Sequence, residues 1–204
     1  MSNNNIDMTN IVGIENTIDS KQIITDSWSN ELEDLMKSWG EKAAGNRELH
    51  EKTALKWKRL SERLYLPLIL STTFSSISSF SLSKTENIYM FHIMGYVNVC
   101  STLLAGLIKY YKPDERAQKH ILISKQYFSL YRQITLELGM NKADRQRADL
   151  FCKWTKQQYD KLLNDSPFIP GDIVDQYISS HKLVVNKPDV SQDSYIIKIF
   201  GRDD

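Results

Sequence analysis

The chain has 204 residues, with 26 basic and 25 acidic side chains and a formal net charge of +1 at pH 7. This length has room for one ordinary domain. A mean hydropathy of −0.41 excludes a carrier with many membrane spans. The near-zero net charge provides no strong field for binding nucleic acid, so we expect no nucleic-acid partner.

Residues 1–25 are polar and Asn-rich and show no sustained hydrophobic period. This composition predicts a disordered N-terminal tail. The tail lacks the basic and apolar regions of a cleavable signal peptide, so targeting is expected to depend on a later segment.

A helical pattern starts at Asp26, where apolar residues begin to recur every three or four positions and continue to Ala43. Asp26 or Ser27 is the expected cap, because short side chains with oxygen atoms accept hydrogen bonds from the free N–H groups of a first turn. Gly45 and Asn46 are expected to interrupt the helix. A second helical pattern then leads into an uncharged stretch.

Two uncharged runs, residues 64–83 and 87–108, lie next to each other with only three residues between them. At about 1.5 Å per residue, each run reaches roughly 30 Å as a helix, the thickness of the hydrocarbon core of a bilayer. The short linker forces the second helix to return beside the first. The sequence therefore predicts a helical membrane hairpin with two transmembrane helices, embedded in a lipid bilayer.

Basic residues flank this hairpin on both sides. Six lie between residues 47 and 63 and five between residues 109 and 125, whereas the intervening loop contains only Lys84. Because Lys and Arg are retained on the cytoplasmic side, the pattern predicts a multi-pass protein of two spans with both termini cytoplasmic. The basic flanks are also expected to contact anionic lipid.

The first run contains a hydroxyl band, a set of Ser and Thr side chains that share one half of the predicted helix. Its two neighbouring rows are Ser71, Ser75, Ser78 and Thr72, Ser76, Ser79, Ser83. Three interpretations stay open: the band packs against the second helix, it lines a water-filled path between several copies, or both runs form the core of a soluble bundle. A pore requires a homo-oligomer, because two helices cannot enclose a path. The candidate pore-lining or helix-packing residues are Ser71, Ser75, Ser76, Ser78 and Ser79.

The second run is more apolar but has a side of small and polar residues. Small residues spaced along one face let helix backbones approach closely in a membrane. The candidate residues for packing the hairpin are Gly95, Asn98, Thr102 and Gly106.

After the hairpin, Pro113 is expected to open a helix that Gly139 ends, because Pro fits a first helical position and Gly a C-terminal cap. Another helix is expected to follow Asn141, and a short one to follow Pro170. Residues 181–204 are assigned to a C-terminal tail. The fold class is therefore all-α, with the membrane hairpin joined to a cytosolic helical bundle.

No motif for catalysis, cofactor binding or metal binding occurs in the chain, and the four histidines are far apart in the sequence. The two cysteines have no partner at disulfide or metal spacing. We therefore expect no enzyme activity, no cofactor and no metal, and we expect two reduced structural thiols.

The order of these elements resembles the SLATT superfamily, a two-transmembrane effector domain associated with SMODS nucleotidyltransferases and SLOG sensors. A basic, tryptophan-bearing helix (residues 57–63) leads into an apolar segment marked by Pro67. The second helix of the hairpin is followed by residues 109–120. Residues 127–134 and the turn at 168–170 complete the pattern. The resemblance covers residues 28–180, within a predicted domain of residues 26–180, and the chain looks like the stand-alone forms, such as those carried by large DNA viruses.

The resemblance implies a pore-forming or membrane-perturbing effector in biological conflict, without catalytic residues. It also implies activation by a nucleotide-signalling or sensor protein, here expected in trans. A membrane-anchored structural or scaffold protein without conductance, such as a virion or organelle membrane component, is the alternative hypothesis.

Overall fold

The computed structural model describes residues 27–82, 88–181 and 186–191. They form five α-helices and a short 3-10 turn at Asp189–Ser191, and the described residues contain no strand. The helices are α1 (Asn30–Leu82), α2 (Ile88–Tyr111), α3 (Pro113–Gly139), α4 (Ala148–Asp165) and α5 (Gly171–Ser180). The all-α prediction is confirmed. The predicted N-terminal tail and most of the C-terminal tail lie outside the described residues.

The chain divides into two compact units. The bundle unit contains the described residues of 1–46, 126–165 and 183–204. The hairpin unit contains those of 47–125 and 166–182. The predicted domain of residues 26–180 contains parts of both units, and each is described here by itself.

Helix α1 runs without a break through the position where Gly45 and Asn46 were expected to interrupt it. That prediction was wrong because both residues are buried, and the Asn46 side chain donates a hydrogen bond to the hydroxyl of Tyr159 over 3.2 Å. Tertiary contacts thus override a local penalty of about 1 kcal/mol for a helical glycine. The cap also differs from the prediction, since the hydroxyl of Ser29 accepts the hydrogen bond from the backbone N–H of Leu32.

An aromatic core holds the bundle unit together. Trp28 contacts Phe151 with ring centroids 5.8 Å apart, and Tyr159 lies 6.0 Å from Trp39 and 6.1 Å from Tyr127. Burial raises the pKa of Tyr159 well above its usual range, so this hydroxyl stays protonated and donates to Asp189. The core therefore joins α1, α3 and α4 and reaches the 3-10 turn.

Residues 141–147 form a turn, so α4 begins at Ala148 rather than directly after Asn141 as predicted. Arg145 explains the difference, because its guanidinium donates to the carbonyl oxygens of Leu138 and Met140 at the end of α3. It also pairs with Glu33 at 2.6 Å. These bonds hold residues 141–147 in a turn, because a continuous helix would not bring the Arg145 side chain to the same acceptors.

In the hairpin unit, α5 packs on α1 through a cluster of buried residues: Leu49, Ile169, Ile173 and Tyr177. Pro113 opens α3, as the sequence predicted, and it follows Lys112, whose φ of 44° breaks the helix between α2 and α3. The hydroxyl of Ser61 donates to the Asp114 carboxylate over 2.5 Å and so joins the start of α3 to α1.

Candidate functional site

The second half of α1 and helix α2 pack side by side through polar atoms. The hydroxyl oxygens of Ser71 and Ser101 lie 2.7 Å apart, and Ser75 donates to the side-chain oxygen of Asn98 over 2.7 Å. The partner on α2 has a lower residue number for Ser75 than for Ser71, so the two helices are antiparallel. Ser78 is buried in the same row of α1. We call Ser71, Ser75 and Ser78 the inner row.

A second row of hydroxyls lies on the next face of α1 and is exposed. Thr72, Ser76 and Ser79 donate to backbone carbonyl oxygens one turn earlier, those of Leu68, Thr72 and Ser75, over 2.8 to 2.9 Å. We call Thr72, Ser76 and Ser79 the outer row; Ser83, predicted to continue it, lies outside the described residues. The structure thus divides the hydroxyl band into one row that meets α2 and one that does not.

Large apolar side chains cover the outside of the hairpin. Leu70 is 69% exposed and Phe91 is 71% exposed. Others that are more than a third exposed include Leu66, Ile69, Phe74, Ile77, Ile88, Tyr89, Met90, Ile93, Tyr96, Val99, Leu103 and Leu107. A contiguous apolar surface of this extent marks contact with a membrane or with another protein.

The small residues of α2 have two different positions. Asn98 lies against α1 through its bond with Ser75. Gly95 and Gly106 do not meet α1, since a Cβ atom built at either would find no atom within 4 Å. Thr102 is exposed and donates to the backbone carbonyl of Asn98. The structure therefore brings only Asn98 of the four predicted packing residues into the hairpin interface.

Within the described residues, one helical stretch is long and apolar enough to cross a membrane: Ile88–Gly139, whose apolar part is mostly exposed. Helix α2 has one charged residue, Lys109 in its last turn, whereas most charged residues of that stretch lie in α3, so α2 is the candidate span. The described part of the first predicted span does not qualify. Its hydroxyl band lowers its hydropathy, although the helix is continuous there.

Two histidines that are far apart in sequence contact each other in the hairpin unit, outside the two predicted spans. The Nδ1 atoms of His50 on α1 and His120 on α3 are 2.9 Å apart, and both side chains are buried. Burial lowers the pKa of His50 to about 4, with a further contribution from His120, and burial also lowers the pKa of His120. At this separation the Nδ1–H of one ring donates a hydrogen bond to the Nδ1 atom of the other, and the lowered pKa values keep both rings neutral at pH 7.

The sequence analysis missed this pair because 70 residues separate its members. A signal was present, since His120 occupies a position on the apolar stripe of its helix and His50 follows Leu49. Among the described residues, no group of three or more His, Cys, Asp or Glu side chains has the arrangement of a metal site.

Comparison of the chain with family models, curated proteins and solved structures found no match.

Proposed function

We propose that the chain is a two-span membrane protein whose copies assemble into a pore or a membrane-perturbing element. The observation that supports this proposal most is the distribution of polarity in the hairpin. Large apolar side chains make up much of its outer surface, and Ser71, Ser75 and their partners on α2 form polar contacts between its helices. Water favours the opposite arrangement, whereas lipid favours this one.

The inner row supports two spans, although only α2 qualifies by composition. Ser71 and Ser75 find their partners on α2, so their hydroxyls need not face lipid. The α1 face on which Leu66, Leu70 and Phe74 lie is apolar. Helix α1 then enters the membrane as the polar partner of a more apolar helix, with both termini of the chain on the cytoplasmic side.

The outer row supports assembly. Two helices cannot enclose a conducting path, so a pore requires several hairpins. Thr72, Ser76 and Ser79 remain on the surface of one hairpin, where they are available to water or to a second copy. The exposed face of Gly95 and Gly106 is open enough for the backbone of a neighbouring helix to approach.

The resemblance to the SLATT superfamily supports a role in conflict or defence, with activation by a nucleotide-signalling or sensor protein in trans. The proposal gives the chain no catalytic step, cofactor or nucleic-acid partner.

A membrane-anchored structural or scaffold protein is the second candidate, and one observation favours it. Each hydroxyl of the outer row already donates to a carbonyl of its own helix. Hydroxyls satisfied in this way are tolerated in lipid without water or a partner. In this case the hairpin anchors the chain and conducts nothing.

Ion flux from liposomes that contain the reconstituted protein separates the two candidates. The variant Thr72→Leu/Ser76→Leu/Ser79→Leu removes the outer row and is expected to lower flux at least tenfold without reducing insertion. Thr73→Leu is the control, since it adds the same kind of side chain at an exposed position outside that row. Equal flux from the triple variant and the wild type would remove the pore-lining role. If the wild-type protein conducts no ions, the membrane-anchored scaffold is the candidate that remains.

A further inference from the structure

A cleft of about 630 Å³ lies between α1 and α5 in the hairpin unit. Four basic residues of α1 line it: Lys52, Lys56, Arg59 and Arg63. The side chains of Leu60 and Ile173 give it an apolar part, and Asp172 at the start of α5 is its acidic residue. The cleft therefore combines positive charge with an apolar wall, as a site for an amphiphilic anion does.

The charges of the two lysines are already balanced. Lys52 pairs with Glu48 at 2.8 Å, and Lys56 pairs with Asp172 at 2.7 Å. Arg59 and Arg63 differ, because neither forms an ion pair with any residue that the structure describes. Two guanidinium groups separated by one helical turn, about 6 Å along the axis, are thus free to bind an anion. Their planar forks suit the oxygens of a phosphate.

The same face of α1 becomes apolar just beyond the cleft. Arg59, Arg63, Leu66 and Leu70 follow at spacings of four, three and four residues, which places them on one face of the helix. Leu66 is 60% exposed and Leu70 is 69% exposed. A single helix face therefore offers cations at one end and an exposed apolar surface at the other, in the order of a phosphate headgroup and its acyl chains.

Trp57 forms part of the cleft wall. The guanidinium carbon of Arg116 on α3 lies 4.7 Å from the centre of its ring, and the indole is half-buried. Tryptophan is enriched at the headgroup level of membranes because its ring is amphipathic. The contact with Arg116 holds this indole beside the basic side chains.

We propose that this cleft binds the phosphate headgroup of an anionic phospholipid, with the acyl chains along Leu66 and Leu70. Arg59 and Arg63 bind the phosphate, and Trp57, which precedes both along α1, lies beside the headgroup on the side away from the acyl chains. The proposal rests on the membrane insertion proposed above. A soluble phosphate compound shares the headgroup chemistry but gains nothing from the exposed leucines, which is why a lipid is the favoured ligand.

Lipid retention tests the proposal with the full chain. The protein is reconstituted into phosphatidylcholine bilayers that contain 10 mol% phosphatidylglycerol and is extracted in a mild non-ionic detergent. The lipids that remain bound are then counted by mass spectrometry. We expect phosphatidylglycerol to be enriched at least fivefold over its share of the bilayer. No enrichment in the wild type would overturn the proposal without any variant.

Two double variants, each of which removes two positive charges, test the assignment of the site. Arg59→Gln/Arg63→Gln is expected to return the retained phosphatidylglycerol to its bilayer share. Lys58→Gln/Lys109→Gln removes two exposed charges near the same ends of the hairpin but outside the cleft, and it is expected to keep the enrichment. An equal loss in both variants would overturn the cleft in favour of general surface charge.

Competition and flotation distinguish the remaining outcomes. Millimolar inorganic phosphate or glycerol phosphate is expected to leave the bound lipid in place, and displacement by either would overturn the choice of a lipid. Flotation with vesicles of pure phosphatidylcholine tests insertion alone. A chain that does not float contradicts the proposed function, whereas one that floats but retains no excess phosphatidylglycerol contradicts only this inference.

Discussion

The bundle unit distributes polarity in the opposite way to the hairpin that α2 forms with the second half of α1. The bundle unit buries Met36, Tyr127 and Ile134 almost completely and leaves Lys142 exposed in its ion pair with Glu33. The hairpin instead exposes Leu70 and its apolar neighbours and buries Ser78 and Ser101. The first arrangement is the one that water favours, and the second supports the membrane insertion proposed for the hairpin.

The difference implies two kinds of driving force. Removal of apolar surface from water stabilises the bundle unit, at about 25 cal/mol per Å². A helix pair in lipid gains little from this effect, because the lipid tails are as apolar as leucine side chains. Close packing and hydrogen bonds between helices then hold the pair together. Substitutions in the two regions should therefore have effects of different size on stability.

The largest effect is expected for Phe151→Ala in the bundle unit. Phe151 is 4% exposed and contacts the rings of Trp28 and Trp154. Its removal leaves a cavity, and we expect the free energy of unfolding to fall by about 4 kcal/mol. Urea unfolding of the detergent-solubilised chain, followed by tryptophan fluorescence, measures this change.

Leu150→Ala is the control, because Leu150 precedes Phe151 on the same helix and is 55% exposed. It should change the free energy of unfolding by less than about 0.5 kcal/mol. Similar losses in both variants would show that the aromatic cluster does not form the core of the bundle unit.

Local patterns were sufficient to predict much of the fold. A period of three to four residues identified the helices, and Pro113 and Gly139 marked the two ends of α3 because each has a local backbone preference. The predicted break at Gly45 failed for the converse reason. Helix propensity is a weak local term, and the buried contacts of that position outweigh it.

The candidate site was only partly visible in the sequence. The spacing of the serines placed a hydroxyl band on α1, but its division into inner and outer rows depends on where α2 lies. The cleft was harder to predict. Basic residues 52–63 were recognisable as a membrane flank, whereas Asp172 and Ile173 reach them from more than 100 residues away. Such contacts are long-range, and no local period reports them.

An intermediate effect is expected from pH, through the buried histidine pair of the hairpin unit. The pKa of His50 is about 4 in the folded chain and 6.5 in the unfolded chain, so the unfolded state binds the proton first as the pH falls. Stability from this group is complete above pH 6.5 and is lost progressively between pH 6.5 and 4. From pH 7 to pH 5 we expect a loss of about 2 kcal/mol from His50, and the lowered pKa of His120 acts in the same direction.

The variant His50→Gln/His120→Gln isolates this contribution, because an amide does not titrate. Its free energy of unfolding should fall less than that of the wild type over the same pH interval, by about 2 kcal/mol or more. Parallel pH profiles of the two proteins would mean that the two rings titrate in the folded chain as they do in the unfolded chain, so burial does not hold them neutral.

The smallest effect is expected within the hairpin, and adjacent serines provide the test. Ser75 donates across the interface to Asn98, whereas Ser76 donates to the carbonyl of Thr72 in its own helix. Ser75→Ala leaves the Asn98 oxygen without this donor and should weaken the helix pair by about 0.6 kcal/mol, a typical value for such bonds in membranes. Ser76→Ala removes only a bond within the helix, so the association of the pair should not change. The measurement is the association of separately expressed halves of the hairpin in detergent micelles. If Ser76→Ala weakens association and Ser75→Ala does not, the outer row rather than the inner row faces α2, and the pore proposal loses its basis.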